Sequence, residues 1–225
     1  MAVFRGFPAD ALDFFVELEA NNERAWWHAN RERFESAVRE PMRALLDILE
    51  SEFGVFRVFR MNRDVRFSKD KSPYKTAHAA MAETAGGSLH YIQVGANGLF
   101  LGAGIYHPAR DQLERFRRAV ADDSSGAQLE TAIAAVRAAR LDVQGGGEPP
   151  LATAPRGFPR DHPRVELLRW KGCIAAKDHA APAWLHTRRV AERVAETWRR
   201  AAPVVSWLDQ HVGASELTPD TAGRR

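Results

Sequence analysis

Arg63-Asp64-Val65-Arg66-Phe67-Ser68-Lys69-Asp70-Lys71-Ser72-Pro73-Tyr74-Lys75-Thr76 gathers guanidinium, ammonium and hydroxyl groups into one short, turn-rich segment. Between residues 56 and 75 seven cations face two carboxylates, Asp64 and Asp70. That is a local charge of +5 in a chain whose formal net charge is +3. The excess positive charge is therefore local, and a cationic loop edged with hydroxyls suits an anion. Arg63 and Arg66 offer planar forks for phosphate or carboxylate, while Lys69, Lys71 and Lys75 act as point charges. Ser68, Tyr74 and Thr76 add neutral donors. These eight residues are the expected ligand contacts. A structural reading stands beside the functional one, with Arg63 and Arg66 paired to Asp64, Asp70 or a helix carboxylate such as Glu23. The loop is not a nucleotide-binding P-loop, because it lacks the spaced glycines leading into Gly-Lys-Ser/Thr.

A second cluster is Arg156-Gly157-Phe158-Pro159-Arg160-Asp161-His162-Pro163. Asp161 beside His162 could orient an imidazole for acid–base work, which makes these two the candidate catalytic residues. Asp161 is equally a natural N-cap for a helix opening at Pro163. Asn21, Asn22 and Arg24 fall at a helix junction, where capping competes with a site role. Trp26, Trp27 and Trp170 offer ring faces to a base, or serve packing. The eight histidines are scattered without metal-ligand spacing, and no Gly-x-Ser-x-Gly elbow occurs, so neither a metal nor a cofactor is expected. Cys173 is the lone cysteine, which excludes an intrachain disulfide, and its setting predicts a buried, inert thiol.

These groups need elements to position them. Ala9–Ala20 repeats apolar residues at helical spacing, and a second helical run from Asn22 to Phe53, with Asn22 as its cap, is divided or kinked at Pro41. Val55–Arg60 reads as a strand, His78–Thr84 as a further strand, and Asn97-Gly98 joins Leu89–Ala96 to Leu99–Tyr106 as a hairpin through a type I′ turn. Gly95, Gly102 and Gly104 imply close approach of another group to those strands. Pro108–Val120, Ala127–Arg140 and Pro163–Leu168 are helical, Lys171–Ala176 is a strand, and Trp184–His211 is a long helix interrupted or bent near Pro203. Residues 213–225 lack apolar periodicity and read as a disordered tail. Helices before and after a meander predict an α+β fold: a single domain over 3–212 with a mostly antiparallel sheet packed against N-terminal and C-terminal helices.

Several of these clusters, in this order, carry a family likeness. They are Asn21-Asn22-x-Arg24-x-Trp26, Arg63-Asp64-x-Arg66-Phe67-Ser68-Lys69-Asp70-Lys71-x-Pro73-Tyr74-Lys75-Thr76 and Gly102-x-Gly104-x-Tyr106. Pro155-x-Gly157-Phe158, Asp161-His162-Pro163 and Glu166-Leu167-Leu168-Arg169 follow. The chain thereby resembles the bacterial and fungal domain-of-unknown-function 2461 family, from about Phe4 to the final helix. The resemblance implies one domain and brings no activity, substrate or catalytic residue.

The expected function is to bind a phosphorylated or other anionic small molecule at the Arg63–Thr76 loop, with enzymatic activity left open. Two alternatives stand. One is a nucleic-acid-binding module that adds the arginines of the last helix, and the other is a scaffold docking an acidic protein. The acidic N-terminus and the absence of a long apolar run predict a cytoplasmic protein without a membrane partner. Oligomeric state is not legible.

Overall fold

The computed structural model describes residues 4–66 and 69–217. Its elements run α1 (Asp10–Ala20), α2 (Arg24–Ala29), α3 (Arg31–Phe34), a π-helical turn (Glu35–Arg39), α4 (Glu40–Phe53), β1 (Arg57–Val58) and β2 (Ala77–Glu83). They continue with β3 (Leu89–Gly95), β4 (Gly98–Ile105), α5 (Arg110–Ala121), α6 (Asp123–Ala138), β5 (Asp142–Gln144), α7 (Val165–Leu168), β6 (Cys173–Ala180), a 3₁₀ turn (Ala183–His186) and α8 (Arg189–His211). The strands form one six-stranded antiparallel sheet in the order β1-β2-β3-β4-β6-β5, flanked by helices, which is the expected α+β class. The chain divides into two compact units: 1–82 with 91–101 and 178–196, and 83–90 with 102–177 and 197–225. β2, β3, β4 and β6 each contribute residues to both.

In the first unit, α1 buries Ala11, Phe14, Phe15 and Leu18, the i, i+3, i+4, i+7 stripe that its sequence carries. Phe14 sits among Trp26, Trp27 and Phe34, with ring centroids 5.3–6.0 Å away. α4 buries Met42, Leu45, Leu46, Leu49 and Phe53. Pro41 is the second residue of α4, which follows the π-helical turn without a break, so the helical run does not end there. Glu23 occupies the N-cap position of α2, and the Asn22 side chain goes elsewhere, a correction to the cap reading. The strand expected over 55–60 shrinks to Arg57–Val58, paired to Met81 and Ala80.

The β3–β4 hairpin forms where the dipeptide Asn97-Gly98 placed it, but not through a type I′ turn. That turn needs positive φ at both residues, and only Gly98 has it (φ +109°). A Cβ at Gly98 would lie 2.3 Å from Ala181 N and His179 O, so the position admits only glycine.

In the second unit, Gly104 (φ +128°) fulfils the expectation of a close approach, since a Cβ there would meet Cys173 O at 2.3 Å. β5 pairs with β6 in the register Asp142↔Ala176, Val143↔Ala175 and Gln144↔Ile174. α6 is capped by Asp122, whose side chain accepts from the Ser125 N–H. Of the two readings at Pro203, interruption or bend, the interruption does not occur, since α8 continues through it. Residues 213–217, assigned to the tail from sequence, lie against α5: Gln112 Nε2 donates to Gly213 O (2.9 Å) and Ser215 Oγ to Asp111 Oδ1 (2.8 Å). The remainder, 218–225, lies outside the described residues.

Candidate functional site

The Arg63–Thr76 loop is closed at its base by a short antiparallel bridge. Asn62 bridges to Tyr74, Arg63 N donates to Pro73 O (2.9 Å), and Lys75 N donates to Met61 O (2.8 Å). Above this base the cations turn to partners within the loop. Arg66 clasps Asp64 with Nε at 2.9 Å and Nη2 at 2.6 Å, and Arg63 pairs with Asp70. The Arg66 clasp holds the Asp64 carboxyl down at about 2. Hydrogen bonds from Ser72, then Arg63, hold Asp70 at about 2 as well. Lys71 Nζ donates to Val65 O (3.0 Å), and Lys75 Nζ lies over the Phe59 ring, 5.1 Å from its centroid. Lys69 and Thr76 are exposed, and Ser68 lies outside the described residues. Arg63, Arg66, Lys71 and Lys75 thus take separate local partners.

Tyr74 is 5% exposed and stacks on Trp27 at 4.4 Å and 15°. The Asn22 side chain holds its backbone like a neighbouring strand: Nδ2 donates to Tyr74 O (3.0 Å), and Oδ1 accepts from Tyr74 N–H (3.1 Å). These contacts fasten the loop's exit to the helical run. Tyr74 is a wall residue, and Asn22 is the clasp that sets it.

That wall belongs to a cleft of about 760 Å³ between the α2–α4 run and residues 58–62. The helical side supplies Arg24, His28, Arg31, Glu35, Arg39 and Arg43. Facing them are Phe59, Arg60 and Asn62, with Trp27, Phe34, Tyr74 and His78 closing the cleft. Glu35 is the only carboxylate among the lining residues, and Arg39 Nη1 already donates to both of its oxygens (2.6 and 2.9 Å). Arg24, Arg31, Arg43 and Arg60 have no carboxylate partner among the described residues.

The six helical positions are separated by four, three, four, four and four residues, one face of a helix. Four-residue steps overshoot a 3.6-residue turn by about 40° each. The wider π turn at Glu35–Arg39 undershoots, which offsets part of that drift between Arg31 and Arg43.

His78, on β2, is 3% exposed, and neither ring nitrogen has a hydrogen-bond partner among the described residues. Its ring meets Phe34 edge-on at 5.2 Å. Burial first, then the charge of Arg39, opposed in part by Glu35, pushes its pKa down to about 4, so the imidazole is neutral at pH 7. Lys75 is also lowered, by burial and then by Arg60 and Arg63. The sequence reading named Arg24, Trp27 and Tyr74 and counted Arg60 among the cations of 56–75, but missed Arg31, Arg39, Arg43 and His78. The helical spacing of the arginines was the available signal, and no sequence signal pointed to His78.

In the second unit, Asp161 is exposed and does not cap a helix. α7 starts at Val165 with Arg164 at its N-cap position, which corrects the cap reading. His162 has both nitrogens engaged: Nδ1 accepts from Arg164 N–H (3.0 Å), and Nε2 approaches Ala121 O (3.4 Å). The centre of this motif is Arg164, 8% exposed. It donates to Val120 O (2.7 Å), Asp122 O (3.2 Å), Ala121 O (3.3 Å) and Asp123 Oδ1 (3.0 Å). A guanidinium on the last carbonyls of α5 satisfies orphan acceptors and complements the helix dipole. Asp161 and His162 are therefore no part of the α2–α4 cleft. Burial pushes the Cys173 thiol up to about 12, which keeps it inert. Among the described residues no three His, Cys, Asp or Glu side chains gather to hold a metal, and no helix is long and apolar enough to cross a membrane.

A family model described as "Conserved hypothetical protein (DUF2461)" matches residues 10–207. The chain belongs to this family. Its matched span includes both the cleft and the Arg63–Thr76 loop, and its description assigns no activity to either. The comparison with curated proteins and the comparison with solved structures returned no match.

Proposed function

We propose that this DUF2461 protein binds an anionic small molecule, phosphorylated or carboxylated, in the cleft between α2–α4 and residues 58–62. One observation carries the reading: four arginines without carboxylate partners among the described residues line a single concavity whose one acid is already taken. Gathered like charges raise the energy of the folded state unless an anion offsets them. A volume of about 760 Å³ lies within the usual range of small-molecule sites. Planar guanidinium forks are the natural partners of phosphate and carboxylate oxygens.

The expected ligand class is unchanged from the sequence reading, and its place moves from the Arg63–Thr76 loop to the cleft that the loop's base helps to wall. Calorimetric titration with pyrophosphate tests this. Arg31→Ala/Arg43→Ala should weaken binding about a hundredfold, at roughly 1.5 kcal/mol per charged hydrogen bond. Lys69→Ala/Lys71→Ala should change it little. Absence of binding by the intact chain, or loss confined to the lysine variant, would overturn the proposal.

A further inference from the structure

We infer that the bound anion is extended: a single strand of nucleic acid whose successive phosphates lie along the arginine stripe of α2–α4. This rests on the anion-binding reading of the same cleft and specifies its occupant. The stripe from Arg24 to Arg43 covers nineteen residue steps, at most about 28 Å at the 1.5 Å rise of a straight α-helix, less the turn at Asn30 and the π-helical turn. A compact dianion can engage one or two guanidinium forks and leaves the others uncompensated. The arginines of the stripe are seven, eight and four residues apart, rises of about 10, 12 and 6 Å, so they meet alternate phosphates of an extended strand and, at Arg39 and Arg43, neighbouring ones.

The cations lining the cleft, histidine apart, are all arginine, the side chain that grips phosphate oxygens in pairs, and Arg39 gives only Nη1 to Glu35. Trp27 and Phe59, both half-buried, line the cleft wall beside the stripe, with one ring face taken by Tyr74 and by Lys75 respectively. A cleft of about 760 Å³ has room for part of one strand and none for a duplex, whose two backbones are held apart by the base pairs. This use of arginines differs from the route through the last helix, where Arg193 is paired with Glu196 (3.0 Å).

Fluorescence anisotropy with labelled oligothymidylates of two, five and ten nucleotides, set beside a labelled duplex and unlabelled pyrophosphate as competitor, tests the inference. Affinity should climb at least tenfold from two to five nucleotides and then level off as the stripe fills. The slope of log K against log salt should be about −3.5, at about 0.7 per neutralised phosphate for five arginines, and Arg31→Ala/Arg43→Ala should flatten it by about 1.4. Arg24→Ala/Arg60→Ala, at the other end and on the opposite wall, should reduce affinity independently, with melting curves confirming that both variants fold. If five nucleotides bind no better than two while pyrophosphate still binds, the occupant is compact and the inference fails, though anion binding stands. A duplex bound as tightly as the single strand, with the same slope, also overturns it. If neither oligonucleotide nor pyrophosphate binds, both readings fall.

Discussion

The first unit holds two cationic regions that differ in where their counter-charges lie. The Arg63–Thr76 loop carries acids two and seven residues from its arginines, and the folded chain uses them: Arg66 with Asp64 and Arg63 with Asp70. The α2–α4 cleft gathers arginines from two separated stretches around one glutamate, leaving four without a carboxylate among the described residues. Density of positive charge along the chain is therefore a poor guide to a site. Positive charge without a local partner, brought together across the fold, is the better one, because only uncompensated charge is left to attract a ligand.

The comparison breaks most clearly under charge reversal. Arg31→Glu/Arg43→Glu should lower pyrophosphate affinity by about a thousandfold, since charged contacts worth about 1.5–3 kcal/mol each become repulsive. Lys69→Glu/Lys71→Glu should stay within about threefold on the same ~1 kcal/mol scale of an exposed pair. Equal losses in the two variants would erase the distinction.

The next effect is on stability and pH. His78 is neutral and buried, with its folded pKa near 4 against an ordinary value of 6.5. The unfolded chain therefore binds the extra proton between those values, and stability falls as pH drops from about 6.5 to about 4. Two and a half pKa units correspond to about 3 kcal/mol. Urea titrations across that range should show the fall, and His78→Phe should flatten it. The same substitution should raise stability at pH 7, because it removes two unsatisfied buried nitrogens. A bound anion should also flatten the fall by countering Arg39 and Arg43, and an anion without effect on it would place the ligand away from His78.

A smaller effect belongs to the clasp between the two regions. Asn22→Ala removes two hydrogen bonds to the Tyr74 backbone and should cost about 1–2 kcal/mol in urea unfolding. It should also weaken pyrophosphate binding severalfold, because Tyr74 is part of the cleft wall. Smallest of all, Arg66→Ala should leave the melting midpoint unchanged within error, because its pair with Asp64 is fully exposed to solvent screening.

The sequence by itself determined the elements whose signals are local. The apolar stripes of α1 and α4 placed those helices, and the turn residues placed the β3–β4 hairpin. The tight approach at Gly104 followed from a glycine inside a strand. The i, i+8 and i, i+4 spacing from Arg31 to Arg39 to Arg43 was equally legible, since helical periodicity is a property of neighbouring residues. Tertiary structure decided the rest, because the deciding partner lay far along the chain. Asn22 turned from a cap to a clasp when Tyr74, 52 residues on, offered both of its backbone groups. Arg164 overrode Asp161 and His162 once the end of α5 presented its carbonyls. His78 became a buried neutral base only when the helical run covered β2, and the arginine stripe became a cleft only when residues 58–62 faced it. Burial and uncompensated charge depend on every group within reach in space, and those neighbours are not fixed by their nearness in sequence.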